Sequence, residues 1–443
     1  MTATTTILHP GVSVNLQVHR LTCVVEHLLG AGGQGEVYQV TTTVTGDRRR
    51  HALKWYNPAW ATRTQWDSLQ ALIRLDPPSE RFLWPEDVAV SDVGGFGYLM
   101  PLRGPEFKGM VELMHGTISP TFRALTTAAY QLADGFHQLH SAGLCYRDIS
   151  FGNVFLNEST GDVLICDNDN VGIDGQAAIG VLGTTGFMAP EVVRGEALPS
   201  STTDLYSLSV LLFLLFMVSH PLAGRRETSG EITDPAADKR MYGDQPLFIW
   251  DPADDSNRPD PEAHANAAIF WGLYPRALRE LFTQAFTAGL RDPQNGRVRE
   301  TQWRDLALHL RDVIHYCPGC GLENFWDRDN RSGTRCWKCG AVITPPPRLV
   351  CRRDVVLLNH DTKLYAHHIG RVRRDFSEPL AEVVRHPTMP GVTGLRNLDQ
   401  RGDRHWRADT GAGSSFAVPP GRSCTLAPGT RIDFGPVQGV IEV

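Results

Sequence analysis

The chain has 443 residues, of which 42% are hydrophobic and 21% charged. At ~100–200 residues per domain that length predicts two to four domains, and the composition excludes a mostly disordered chain, a collagen-like chain and a coiled coil. A formal net charge of −6 is too small to build a field over the whole molecule that would mark nucleic acid as a partner.

Only five of the 43 basic residues are lysines: Lys54, Lys108, Lys239, Lys338 and Lys363. The first twenty residues lack a basic start followed by an apolar run of about 7–15 residues, so no signal peptide is read there. The longest apolar run, 205–218, is interrupted by Ser207 and Ser209. It is shorter than the ~20 residues that cross a bilayer and reads as a buried core helix. Nine cysteines are present, four of them clustered and five scattered (Cys23, Cys145, Cys166, Cys351, Cys424). That pattern fits a reducing compartment better than a disulfide framework. The expectation is a cytoplasmic protein with no membrane insertion.

In chain order, residues 21–25 and 36–43 read as strands around a glycine loop, and 96–99 as a further strand. Residues 122–140 carry Leu125, Ala129, Leu132, Phe136 and Leu139 at helical spacing. Residues 223–268, rich in Asp, Pro, Gly and Ala, read as a long insertion or loop. Residues 274–290 and 301–315 read as two more helices. A cysteine cluster occupies 316–344, Pro345-Pro346-Pro347 forms a stiff break, and 348–443 alternate short apolar stretches with Gly, Pro and Asp turns, as in a small all-β domain.

The loop Gly30-Ala31-Gly32-Gly33-Gln34-Gly35 fits G-x-G-x-x-G. In a dinucleotide-binding unit such a loop opens a helix. Here residues 36–44 are β-branched and aromatic, which favours a strand, and Lys54 follows nineteen positions after Gly35. Glycines let backbone N–H groups approach phosphates with no Cβ in the way. A strand lysine then adds a point charge. Farther on, Asp148 and Asn153 stand five apart in Tyr146-Arg147-Asp148-Ile149-Ser150-Phe151-Gly152-Asn153. Asp167 follows nineteen residues later in Cys166-Asp167-Asn168-Asp169, and Gly183-Thr184-Thr185-Gly186-Phe187-Met188-Ala189-Pro190-Glu191 ends in an intact A-P-E.

This ordered series resembles the eukaryotic-type (Hanks-type) serine/threonine protein kinases over residues ~20–315. The resemblance implies a bilobal α+β fold over 1–315, Mg-ATP and phosphoryl transfer to Ser/Thr hydroxyls of protein substrates. It assigns Asp148 to the acceptor hydroxyl, Asn153 and Asp167 to Mg²⁺, Lys54 to the α/β-phosphates and Thr184 to a hydrogen bond with Asp148. Gly30, Gly32, Gly35, Val37, Ala52, Met100, Leu102 and Phe155 would line the nucleotide, with Met100-Pro101-Leu102 as gatekeeper and hinge. Asp204 would brace the catalytic loop and Arg297 would pair with Glu191.

Four positions depart from the family pattern. Ser150 stands where a lysine is usual, Tyr146 replaces histidine, Asn168-Asp169 replace Phe-Gly, and residues 55–79 hold no glutamate to pair with Lys54. Ser68 is in the glutamate's register, with Asp67, Gln65 and Gln70 as other substitutes. These gaps carry a competing reading, a pseudokinase adaptor that binds partner proteins. Residues 170–183 contain no hydroxyl side chain. Without a phosphate there, Arg147 is expected to pair with Asp169 or Asp174.

Cys317-x₂-Cys320 and Cys336-x₂-Cys339, fifteen residues apart, have the spacing of a structural four-thiolate Zn²⁺ site. Residues 316–344 look like a zinc ribbon. His360, His367 and His368 are read as packing or surface residues, with a second metal group as the alternative. Residues 394–398 through 426–435 are similar to the second half of a forkhead-associated (FHA) β-sandwich, and Gly370-Arg371 would be its G-R element. The domain order resembles kinases of bacterial tellurite-resistance-type clusters, which implies a von Willebrand A-domain protein and a PP2C-type phosphatase as partners.

Overall fold

Five strands of β-branched and aromatic sequence and one short N-terminal strand close on themselves at the start of the chain. In the computed structural model, which describes residues 6–443 except 45–46, 177–181, 228–234, 328–334, 353, 371–373, 387, 390, 401–405 and 411–414, these are β1 (Ser13–Leu16), β2 (Thr22–Ala31), β3 (Gly35–Val44), β4 (Asp47–Tyr56), β5 (Asp87–Val90) and β6 (Phe96–Pro101). They form a closed barrel in the order β1-β2-β3-β4-β6-β5, with helix α1 (Arg63–Ile73) following β4. The two-residue period of a strand sorts the buried end of β4 between two cores. Leu53 and Trp55 enter the cluster that fills the barrel with Val14, Val25, Tyr38 and Leu99, while Ala52 and Tyr56 join a second cluster with Leu69, Tyr98 and Met100. Lys54 therefore shares the face of Ala52 and Tyr56. Register places it opposite Val37 on β3 and Tyr98 on β6.

The chain continues through β7 (Phe107–Gly109), α2 (Met110–Met114), α3 (Phe122–Ser141), β8 (Leu144–Cys145), β9 (Val154–Asn157), β10 (Val163–Ile165), β11 (Gly172–Ile173), α4 (Pro190–Val193) and α5 (Ser201–Met217). Strands β10-β9-β7 form one small sheet and β11-β8 another. The Thr121 hydroxyl accepts from Ala124 N to start α3, and Ser200 and Thr203 form a reciprocal capping box at the start of α5. Helix α5 is apolar on every side and buried along nearly its whole length, which makes it a central element. Phe213 on α5 packs edge-on against Phe282, ring centroids 4.9 Å apart.

Three expectations shift in detail. Residues 274–290 break at Thr287 into Arg276–Phe286 and Ala288–Arg291. Residues 301–315 form a helix only to Asp312 (Glu300–Asp312), and Ile314–Tyr316 is a strand paired with Glu323–Phe325. The segment 223–268 holds a short helix Pro235–Asp238, a wide turn Lys239–Asp244 and the start of helix Ala265–Leu273, with 228–234 outside the described residues.

The chain divides into two compact units, residues 1–270 with 280–304, and 271–279 with 305–443. The second unit carries an antiparallel six-stranded sheet and an antiparallel four-stranded sheet. Leu349, Trp406, Ile432 and Ile441 from the first and Ala381, Leu395 and Cys424 from the second share one core, the arrangement of a two-sheet sandwich. Among the described residues no helix is long and apolar enough to cross a membrane.

Candidate functional site

The hairpin β2–β3 carries the glycine loop. Gly35 is dictated by the protein, because a Cβ there would lie 2.1 Å from the Trp55 carbonyl oxygen on the adjacent strand. Gly30, Gly32 and Gly33 are different: a Cβ on each would meet nothing within 4 Å, and none has a positive φ. No packing reason requires glycine at these three positions, so what they provide is open space over the loop backbone. That is the cradle a phosphate chain needs. At the loop's tip the Gln34 side chain reaches in, accepting from Lys54 Nζ at 2.8 Å and donating to Asn170 Oδ1 at 3.2 Å.

Lys54 is buried, and its ammonium lies 3.0 and 3.2 Å from the Asp169 carboxylate oxygens and 3.5 Å from Asp167 Oδ1. Burial works against its charge, but the two carboxylates outweigh that and hold its pKa above the ordinary value. Asp169 also accepts from Tyr56 Oη at 2.7 Å, Tyr98 Oη at 2.9 Å and Gln65 Nε2 at 3.4 Å. Of the substitutes considered for the missing helix glutamate, Gln65 is the one that hydrogen-bonds Asp169, while Ser68 lines the same cavity as both. Asp67 pairs instead with Arg63 on the outer face of α1, and the nearest counter-ion of the lysine is Asp169.

Asp148 sits on the turn between β8 and β9. The Asp204 carboxylate, at the start of α5, accepts from the backbone N–H groups of Tyr146 (2.5 Å) and Arg147 (3.0 Å). This holds Arg147 at φ +72°, a left-handed conformation that a non-glycine residue adopts only under constraint. Asp148 Oδ1 accepts from Thr184 Oγ1 at 2.7 Å, and Asn153 Nδ2 donates to the Asp148 backbone oxygen at 2.9 Å. Burial raises the Asp148 pKa, with Thr184 and Asn153 opposing. Asp167, itself at φ +53°, keeps a side chain 32% exposed, whereas that of Asp169 is fully buried. Asp167 is thus the acid of the pair that faces the cleft. Burial and the neighbouring Asp169 charge raise its pKa against the pull of Lys54.

Ala52, Met100, Leu102 and Val37 fall into one apolar cluster beside this site, with Ala52 opposite Met100 across β4 and β6. Phe155 lies outside that cluster, half-buried, with the Arg103 guanidinium 4.1 Å over its ring. Arg297 pairs with Glu191 at 2.5 Å and donates to the Thr202 carbonyl at 2.6 Å. Tyr146 donates to the Cys166 carbonyl and packs against Phe82 and Phe136, so its ring fills the apolar space below the turn that carries Asp167. Buried Asn168 donates to the Ile165 carbonyl at 3.0 Å.

One expectation is overturned. Arg147 pairs with neither Asp169 nor Asp174. Asp169 points toward Lys54, Tyr56 and Tyr98 on the barrel face opposite the one that carries Leu53 and Trp55. Asp174 accepts from the backbone N–H and hydroxyl of Ser201, where the N-terminus of α5 favours an anion. Among the described residues the Arg147 guanidinium approaches the Ile173 carbonyl at 3.5 Å, and its Nε is buried without a partner. Residues 177–181 of this segment lie outside the described residues.

Behind the turn that carries Asp148, His140 bridges Asp204 (3.1 Å) and Glu300. Burial alone would lower its pKa, but the two carboxylates raise it from 6.5 to about 9. The charged imidazole therefore contributes on the order of 3 kcal/mol. That contribution is complete below about pH 6.5 and is lost as pH rises through about 9. The thermal midpoint of the wild type should fall more between pH 7 and pH 10 than that of His140→Gln. Equal falls in the two proteins would contradict the assignment.

In the second unit, Cys317 Sγ lies 3.6 Å from Cys339 Sγ and Cys320 Sγ 3.6 Å from Cys336 Sγ. None of the four is in a disulfide, and all four sulfurs lie within 4.8 Å of one another. Four thiolates about 2.3 Å from one tetrahedral Zn²⁺ would stand about 3.8 Å apart, so the set fits that ion. Gly321 (φ +75°) and Gly340 (φ +72°) close each knuckle with N–H bonds to the Cys317 and Cys336 carbonyls. His367 and His368 lie with Asp312 in a group that could hold a metal ion, their ligand atoms within 4.8 Å of one another, and both ring nitrogens of His367 lack a hydrogen-bond partner among the described residues. His368 Nδ1 accepts from Tyr365 N at 2.9 Å, which leaves the proton on Nε2, where it is donated to Asp312 at 2.9 Å. Its lone pairs are therefore engaged, and His360 packs separately against Tyr316.

Residues 103–257 match the protein kinase domain family, a span that includes Asp148, Asn153, Asp167 and Glu191 but not the glycine loop or Lys54. The chain is 29% identical over 313 residues to the DNA damage-responsive serine/threonine-protein kinase RqkA of Deinococcus radiodurans, covering 65% of this chain and 43% of that protein. It is 26% identical over 248 residues to the serine/threonine-protein kinase chk-2 of Caenorhabditis elegans, covering 51% and 48%. Human rhodopsin kinase GRK1 is 37% identical over 114 residues, covering 24% and 19%. The chain spans less than half the length of each of these relatives.

Proposed function

We propose that this protein is a serine/threonine protein kinase that transfers the γ-phosphoryl group of Mg-ATP to hydroxyls of protein substrates. The observation that carries the reading is the convergence of Asp148, Asn153, Thr184, Asp167 and Lys54 on one cleft beneath an open glycine loop. Bound Mg-ATP supplies the phosphoryl group and its leaving group. Asp148 orients the acceptor hydroxyl and takes its proton at the carboxylate, which Thr184 holds in place. Asn153 and Asp167 would hold Mg²⁺, and Lys54 would neutralise phosphate charge, exchanging its bond to Gln34 for a phosphate oxygen. Val37, Ala52, Met100 and Leu102 supply the apolar slot for the base. The match to the kinase family supports this reading over the adaptor reading.

The test is incubation with γ-labelled ATP, Mg²⁺ and a generic protein acceptor. Label on phosphoserine or phosphothreonine is expected. ATP binding with no transfer to the acceptor or to the protein itself would favour the adaptor reading.

Cys317, Cys320, Cys336 and Cys339 hold one structural Zn²⁺ in a ribbon over 316–344. The sandwich over 348–443 is FHA-like, supported by the strand Arg431–Asp433 and the left-handed Gly429 and Gly435 around it; Arg371 of the G-R element lies outside the described residues. A von Willebrand A-domain protein and a PP2C-type phosphatase as partners, and a cytoplasmic location, rest on the sequence resemblance and composition.

A further inference from the structure

A lysine ammonium with a side chain only 4% exposed needs a fixed counter-ion, because an unpaired buried charge is strongly destabilising. Helix α1 does not supply one. Its single acid, Asp67, is 54% exposed and tied to Arg63 one turn earlier. Of the two acids that Lys54 meets, Asp167 at 3.5 Å is partly exposed, and the nearer, Asp169 at 3.0 Å, has a fully buried carboxylate that accepts from four side chains. Three of these donors belong to the barrel. Lys54 and Tyr56 stand two apart on one face of β4, and Tyr98 is opposite Lys54 on β6. Strand register alone builds the cup that receives the carboxylate. The fourth donor, Gln65, comes from α1 and makes the longest bond, 3.4 Å.

We infer that Asp169 positions Lys54 in place of a helix acid, so that the lysine's alignment is set by the metal loop and the barrel and not by α1. The inference rests on the phosphoryl-transfer reading of this cleft and names the control built into it. Asp167 and Asp169 occupy one short turn, Asn168–Asn170 following Asp167. Seating Asp169 in its cup therefore places Asp167 toward the cleft in the same event. A lysine held from a mobile helix is released when that helix swings out. A lysine held by its own sheet and the metal loop is released only when the metal loop leaves. Asp169 is on this account a positioning residue, since it acts through the lysine that it touches.

The experiment measures Mg-ATP affinity, kcat and KM for the full chain and for Asp169→Asn, Gln65→Ala, Lys54→Met and the double variant Lys54→Met/Asp169→Asn. Wild-type binding and turnover come first, and their absence would refute the kinase reading, not this one. Given a working wild type, Asp169→Asn should lose about 10²-fold in kcat, the scale set by a misplaced catalytic group, and should also bind Mg-ATP more weakly. Gln65→Ala should stay within about threefold. Because the acid acts chiefly through the lysine, the loss in the double variant should fall well short of the sum of the two single losses in free energy. If Asp169→Asn fails to fold, the double variant should fold, since it has no buried ammonium left unpaired. Wild-type kinetics in Asp169→Asn, a Gln65→Ala loss as large as that of Asp169→Asn, or additive losses in the double variant would each overturn the inference.

Discussion

Asp148→Asn should lower phosphoryl transfer by about 10²–10⁴-fold, the usual contribution of a positioned base, while leaving Mg-ATP affinity nearly unchanged. The split follows from where the carboxylate points. Asp148 is held by Thr184 and Asn153 and makes no bond to Lys54 or the glycine loop among the described residues. The amide is nearly isosteric and can still bond Thr184, but it cannot accept the proton of an acceptor hydroxyl. Asp167→Asn should behave differently. Asp167 lies 3.5 Å from Lys54 and faces the cleft, so its loss should weaken Mg-ATP binding together with turnover. Label transfer and nucleotide titration on the two variants separate these outcomes. Equal transfer by wild type and Asp148→Asn would remove the basis for a kinase.

The freshly purified protein should carry zinc at the four thiolates, and Cys336→Ser should release it. Structural zinc in small ribbons contributes on the order of 10 kcal/mol of coupled folding energy at neutral pH, a large quantity beside what residues 316–344 can bury. Among the described residues of this span one small buried cluster gathers Cys317, Cys336 and Ile343, with Ala341 packed against it, and two of the three are thiols of the four-cysteine set itself. Without the ion little else holds the two knuckles together. Hydrogen exchange should therefore show protection lost over 316–344 in Cys336→Ser. Residues 122–141 and 201–217, whose burial does not depend on the metal, should keep theirs. Elemental analysis finding no zinc, or unchanged exchange in the variant, would count against the site.

Much of this molecule is written in local sequence, and for a physical reason. Phe122–Ser141 and Ser201–Met217 form helices whose periodicity and apolar content need no partner to be read. Gly30–Gly35 opens onto a strand because residues 36–44 are β-branched and aromatic. Asp148 and Asn153, five apart on one tight turn, and the two cysteine knuckles are neighbours by chain geometry, so their chemistry is legible from spacing. The end of the helix at Asp312 was not legible, because Ile314–Tyr316 is drawn into a strand by its partner Glu323–Phe325, a contact outside any local window.

The counter-ion of Lys54 is the clearest case in which only the tertiary structure decides. The missing helix glutamate directs a reader to residues 55–79, yet the acid comes from 115 positions along the chain. A signal did exist: a second acid, Asp169, at the place where the metal loop usually has glycine. Its meaning depends on Tyr56 and Tyr98, which strand register turns toward the same point and which carry no motif of their own. That Arg147 meets neither Asp169 nor Asp174 has the same origin. Asp169 and Asp174 are both near it in sequence, but one is drawn upward by a buried ammonium and the other by the N-terminus of α5. Proximity along a chain names the candidates for a charge, and the competition among buried partners, which exists only once the chain has folded, selects among them.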